Sequence, residues 1–343
     1  MNFAFQKSNH AIAAAICIGL ATSWHFSAGA ASKPETATIV QVRDLLDIYY
    51  GDSSLLIRAQ ELLTVAINAD PNDANAFIQQ ARLEAFKWSV SGRNEPAKFY
   101  AIYGGLLKKA LEIDPANATA HVNISLVYAF QKDFAKQQSE LIAANALEPN
   151  DPWLAFELGN YCENINDLSQ ARHYYETIEK LGPGKTASSR KAYIYALKSL
   201  WPLRSAKEDE TERLRKYAAL ILKERYPTDG WVLEELAKNF ADRQLFEEAI
   251  SYSREALKTM NFGKGRQTLM VSLYGKAAQE ILAKRSRKEV QHYIDEANSF
   301  GFSRAQVIRI YDRYGFGDEL NVYYPTLDQI IPENNDLHPA QSR

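Results

Sequence analysis

The sequence predicts an all-α fold, a right-handed α-solenoid of about seven helix-turn-helix repeats with a C-terminal capping helix. The first observation is proline spacing. Pro115, Pro149 and Pro183 follow one another at 34 residues, and the steps from Pro71 to Pro115 and from Pro183 to Pro227 are both 44. A fixed period near 34 marks a two-helix unit that buries its apolar face only by stacking on a neighbour. The second is size: 343 residues crowd the limit of one core, whereas a stack grows by adding units. The third is the recurrence of small residues at fixed positions of the period, set out below.

The N-terminus reads separately. Lys7 is the one charged side chain in the first thirty residues, Ala11 to Thr22 is an apolar run, and Ala28-Gly29-Ala30 fits a small-residue cleavage site. That layout predicts a secretory signal over 1–30, cut after Ala30, and a periplasmic or secreted protein. The run is short for a membrane span; retention as an N-terminal anchor is the other reading. After cleavage the chain holds no candidate span, and Cys162 is its one cysteine, so no internal disulfide forms. Export without disulfides suits a bacterial periplasm. Two glycosylation-like triplets, Asn117-Ala118-Thr119 and Asn123-Ile124-Ser125, are then chance matches. The formal charge of −2 offers no electrostatic case for nucleic acid.

Numbering each unit so that its closing proline is slot 32 starts five units at Val40, Ala74, Ala118, Pro152 and Gly230. The Pro152 unit has Leu158 and Gly159 at slots 7 and 8, Ala171 at 20, Tyr175 at 24 and Pro183 at the close. Across slots 8, 20 and 27 of the five units, eleven of fifteen residues are Ala, Gly or Ser, the others being Asp47, Tyr103, Gln137 and Ile178. Small side chains there let helices cross closely. With this pattern the chain resembles the tetratricopeptide repeat family, from about residue 40 to 300. Two degenerate units start near Thr186 and Lys264. The organisation expected is signal 1–30, linker 31–39, repeats 40–300, capping helix 301–316 and an irregular tail 317–343. Extra residues near 89–96, 201–208 and 284–288 fall inside units, between their two helices.

Chemistry is sparse. Gly182-Pro183-Gly184-Lys185-Thr186 imitates the end of a phosphate-binding loop, but Glu179 stands where that loop needs glycine. His121, His173, His292 and His338 show no metal-ligand spacing. His121 reads as a packing histidine and Cys162 as an apolar filler. Neither catalytic residues, nor a cofactor, nor a metal site is expected.

The resemblance implies that the first helix of each unit lines a concave groove through slots 2, 5, 9 and 12. Those slots name Asn75, Ile78 and Arg82; Val122 and Leu126; Trp153, Phe156, Asn160 and Glu163; and Trp231, Glu234 and Lys238. Aromatic anchors among amide and charged groups suit a protein or peptide segment. Trp153 and Trp231 can equally staple the starts of their helices. The chaperone-tail clamp of some family members needs lysine at slot 5, where this chain has Asp44, Ile78, Val122 and Phe156. The function expected is a non-catalytic exported scaffold in envelope biogenesis or secretion-machinery assembly. The alternative is a periplasmic carrier of a small molecule or glycan, stacked on aromatic rings.

Overall fold

The computed structural model describes residues 34–91, 95–201, 209–259, 262–313 and 323–332. The signal segment and most of 317–343 lie outside them. Among the described residues the regular structure is sixteen α-helices and no strand.

The chain divides into two compact units. The first holds α1 (Ala37–Asp47), α2 (Ser53–Ala69), α3 (Ala74–Val90), α4 (Pro96–Ile113), α5 (Ala118–Phe130), α6 (Phe134–Leu147), α7 (Pro152–Asn164), α8 (Leu168–Leu181) and α9 (Ala187–Leu200). Helix α10 (Glu210–Glu224) is divided, Thr211–Ala219 falling in the second unit and Leu220–Glu224 in the first. The second unit continues with α11 (Gly230–Ala241), α12 (Phe246–Thr259), α13 (Gly263–Leu282), α14 (Arg287–Asn298), α15 (Arg304–Arg313) and α16 (Tyr324–Ile330). Successive helices pack as hairpins: α1 with α2, α3 with α4, α5 with α6, α7 with α8, α11 with α12, and α13 with α14.

Caps punctuate the hairpins. Asp73, Asn117, Asp151, Thr186 and Asp229 each accept from a backbone N–H in the first turn of a hairpin's first helix. Such a cap contributes about 1 kcal/mol. The turns inside hairpins repeat a second device. Lys132, Asn166, Gln244 and Lys284 all adopt left-handed φ between 58° and 67°. The next residue's N–H then bonds the carbonyl five residues back: Asp133 to Tyr128, Asp167 to Cys162, Leu245 to Phe240 and Arg285 to Glu280, at 2.8–3.0 Å. This Schellman closure commonly takes glycine, yet none of the four is one.

Close helix crossings sit at the small slots. A methyl at Gly159 would overlap the Tyr175 ring, and one at Gly275 the Phe246 ring. Ala59, Ala81, Ala110, Ala144, Ala171, Ala237, Ala249 and Ala256 are fully buried. Two bulky exceptions are satisfied by polar partners: Asp47 pairs with Arg82, and the Tyr103 hydroxyl donates to Asn123 Oδ1 at 2.9 Å.

The extra residues near 89–96 mostly lengthen helices. Helices α3 and α4 have 17 and 18 residues against 13 and 14 in α5 and α6. Within the stretch expected to be irregular, Tyr324–Ile330 is helical and packs on α13. It adds to the cover of helix α13, in which every residue from Thr268 to Ala278 is buried and which also packs on α11, α12, α14 and α15. A helix buried on all sides belongs inside a stack, not at its edge.

Candidate functional site

In the first unit the hairpins' first helices lie against one another. Helix α1 touches α3, α5 touches α7, and α7 touches α9. Helix α9 then returns to α1. Lys191 of α9 marks the return, its Nζ lying 5.7 Å from the Tyr50 ring centre and 5.5 Å from that of Phe86. A cation at that range is attracted by the ring faces.

This closure changes the reading of the groove. Of the twelve residues that slot numbering places there, Asn75, Ile78, Val122, Phe156 and Glu234 are buried. Side-by-side packing of the first helices buries Ile78, Val122, Phe156 and Glu234 at slot 5, and Asn75 at slot 2. Asn75 accepts from Asn117 Nδ2 at 3.2 Å, linking the starts of α3 and α5. Phe156 tilts against Tyr175 and Tyr195, with centroids 5.8 and 5.6 Å away. In the second unit Glu234 accepts from the Thr268 hydroxyl at 2.8 Å and pairs with Lys264 at 3.1 Å. Arg82, Leu126, Trp153, Asn160, Glu163 and Lys238 are half-buried. Trp231 is 48% exposed beside Phe262.

A polar track runs along the first helices of the first unit. Asp47 accepts from Arg82, whose Nη1 donates to Gln79 Oε1 at 2.9 Å. Tyr103, from α4, bonds Asn123 of α5. The Tyr175 hydroxyl of α8 donates to Asn160 Oδ1 of α7 at 2.9 Å, and Asn160 Nδ2 donates to Glu157 Oε2 at 3.0 Å. Burial pushes the Glu157 carboxyl up to about 7, against a smaller lowering by the Asn160 bond. Burial, then the charge of Glu157, also raises the Tyr103 hydroxyl. Of this track the half-buried Arg82, Asn123 and Asn160 can hydrogen-bond an extended segment, and the half-buried Trp153 can anchor one apolar side chain.

Slot numbering missed Glu157, Lys191 and Tyr195. Glu157 falls at a packing slot, and only its burial among polar neighbours marks it. Tyr103 carried a signal, as a bulky residue at a small-residue slot. The triplets at Asn117 and Asn123 are structural: Asn117 caps α5, and Asn123 Nδ2 donates to the Thr119 carbonyl at 2.7 Å. The Gly182–Thr186 stretch is an inter-hairpin turn, with Gly182 and Gly184 at positive φ and Thr186 in a capping box with Ser189. Cys162 is buried. Among the described residues no three His, Cys, Asp or Glu side chains converge as a metal site, and no helix is long and apolar enough to cross a membrane.

No protein-family model matches the sequence, and neither does any curated protein. Solved structures do match. The APC/C hetero-tetramer Cut9–Hcn1 aligns over 80% of this chain at 12% identity and a TM-score of 0.51, and the alignment spans 48% of that chain, about half its length. Yeast Tom70 aligns over 95% of this chain and 69% of its own, at 15% identity and a TM-score of 0.47. A thermophilic TPR protein of Thermus thermophilus, TTC0263, covers 47% here and 79% there, at 22% identity and a TM-score of 0.38. Repeated helix pairs and the likeness to Cut9–Hcn1 show the fold: an all-α solenoid of tetratricopeptide-like helix hairpins.

Proposed function

We propose that this protein is a non-catalytic, exported scaffold holding a segment of another protein against the first helices of its repeats. Its setting is the assembly of an envelope or secretion machinery, reached through the signal pattern of residues 1–30. One observation carries the binding surface: the half-buried Arg82, Asn123 and Asn160 of the polar track, with the half-buried Leu126 and Trp153. Amide and guanidinium groups pair with a backbone, and the indole supplies an anchor.

The test is site-specific photo-crosslinking in cells. A crosslinker at Leu126 captures a defined protein band, and one at Leu181, exposed at the end of α8, does not. Trp153→Ala in the Leu126 background reduces capture at least about tenfold, as for an interface anchor. Equal capture from both positions, or capture indifferent to Trp153, defeats the assignment. Export is read from the mature N-terminus in the fractionated cell: Ala31 supports it, Met1 does not.

A glycan-carrier reading draws on one feature, the Tyr100 and Phe130 rings stacked 3.9 Å apart with Phe130 43% exposed. Saturable binding of a peptidoglycan fragment that is lost in Phe130→Ala would favour it.

A further inference from the structure

Five side chains of the last described segment are buried: Tyr323, Thr326, Leu327, Ile330 and Ile331. Their spacing is i, i+3, i+4, i+7 and i+8, the register of an amphipathic helix laid into a groove. Pro325, Asp328 and Gln329 between them face solvent. The segment seats on α13 in the second unit. At one end the Tyr323 hydroxyl donates to Gln244 Oε1 at 2.8 Å, and its ring meets Phe246 edge-on at 6.0 Å. At the other, the Arg304 guanidinium binds the Asp328 carboxylate and donates from Nη1 to the Asp328 and Ile331 carbonyls at 3.0 and 2.8 Å. Those carbonyls lie at the end of α16, where a helix leaves acceptors unpaired.

The receiving side is organised by other contacts. Gln244 belongs to the Schellman turn between α11 and α12, and its carbonyl accepts from Gln279 Nε2. Tyr311 of α15 holds α13 through a 2.6 Å bond to the Val271 carbonyl. A seven-residue helix is not stable by itself in water, so α16 folds only on this face. Its connection to α15, residues 314–322, is nine residues long.

We propose that this face of α13 is a helix-binding site, and that Tyr323–Ile331 is its resident, displaceable occupant. The partner it fits is a short amphipathic helix of another protein, with an aromatic hydroxyl residue, Leu four positions on, Ile-Ile at seven and eight, and an acidic residue after the Leu for Arg304. Binding there requires the resident segment to leave, so the site is closed until a competitor outmatches a tethered ligand. The site lies in the second unit and stands independently of the polar track in the first.

The test uses the full chain and a fluorescein-labelled peptide of residues 321–333. Leu327→Asp with Ile330→Asp releases the resident segment and leaves the receiving side chains in place. The released variant binds the peptide by anisotropy. The unaltered chain binds it at least about 100-fold more weakly, because a short tether presents the resident at millimolar effective concentration. Adding Arg304→Ala to the released variant weakens binding about tenfold, the loss expected for a charged hydrogen-bond donor. Equal binding to both chains, or no binding to a folded released variant, overturns the proposal. If the double variant loses helicity, Arg304→Gln is followed by hydrogen exchange. Faster exchange in 327–331 with 268–278 still protected supports a seated ligand, and joint loss of protection shows a fixed part of the fold and overturns it.

Discussion

Arg82 of α3 reaches back to Asp47 at the end of α1, joining two repeats through a largely buried ion pair. Asp47 occupies a slot where the repeat pattern places a small residue, so this charge replaces close packing with a polar link. Asp47→Ala would leave the guanidinium without its carboxylate and destabilise by about 1–3 kcal/mol. Asp47→Ala with Arg82→Met should recover most of that, since removing both partners removes the orphan. Urea unfolding of the two variants and the parent measures it. A double variant as weak as the single one would refute the pairing energetics.

Gly159 and Tyr175 make a close helix crossing in the α7–α8 hairpin. Gly159→Ala forces the ring aside, and overpacking of this kind costs about 1–3 kcal/mol. Tyr175→Leu in the same chain should restore part of the thermal midpoint by making room. A Gly159→Ala chain that melts with the parent would show that the crossing relaxes freely.

Glu157 gives stability a pH dependence of definite sign. Burial holds its carboxyl at about 7 in the folded chain, above the ordinary 4.5. Its contribution is therefore fully present below pH 4.5 and is lost as pH rises through 7. The full span is on the order of 3 kcal/mol at about 1.36 kcal/mol for each unit. Glu157→Gln should flatten the fall in urea midpoint between pH 5 and pH 8. An unchanged pH profile would place the titrating group elsewhere.

His121 works in the same direction. Its Nδ1 lies 2.6 Å from Glu140 Oε2 and its Nε2 3.0 Å from the Pro115 carbonyl, so both ring nitrogens face acceptors and both bonds form only in the imidazolium. Burial, the largest single effect, lowers its pKa, but the Glu140 and Pro115 hydrogen bonds and the charges of Glu140 and Asp114 together outweigh it, and the folded value stands above the ordinary one. Its stabilising contribution is present below about pH 6.5 and disappears as pH rises through the folded value. NMR titration should show the His121 midpoint falling in Glu140→Gln. No change would mean the carboxylate does not hold the proton.

The repeat architecture was legible because it is local and periodic. Pro115, Pro149 and Pro183 stop helices for a reason internal to each residue, and Gly159 or Ala171 marks a crossing that any neighbour of that type needs. The Schellman turns were not legible, since Lys132, Asn166, Gln244 and Lys284 hide a left-handed conformation under residues that also suit helices. The candidate site was legible only in part. Trp153, Asn160 and Glu163, at slots 2, 9 and 12, keep some access to solvent, while Ile78, Val122 and Phe156, all at slot 5, do not.

What the amino-acid order alone decided is the unit: two helices, their caps, their close crossings and their period, all set by residues within about 34 positions of one another. What only the tertiary structure decided is which faces stay open. Helix α9 comes back to α1, and Tyr323–Ile331 lies down on α13. Both depend on contacts across long stretches of chain, and the small rotation from each repeat to the next settles whether distant helices meet. No single residue encodes that rotation, which is the summed outcome of every crossing between.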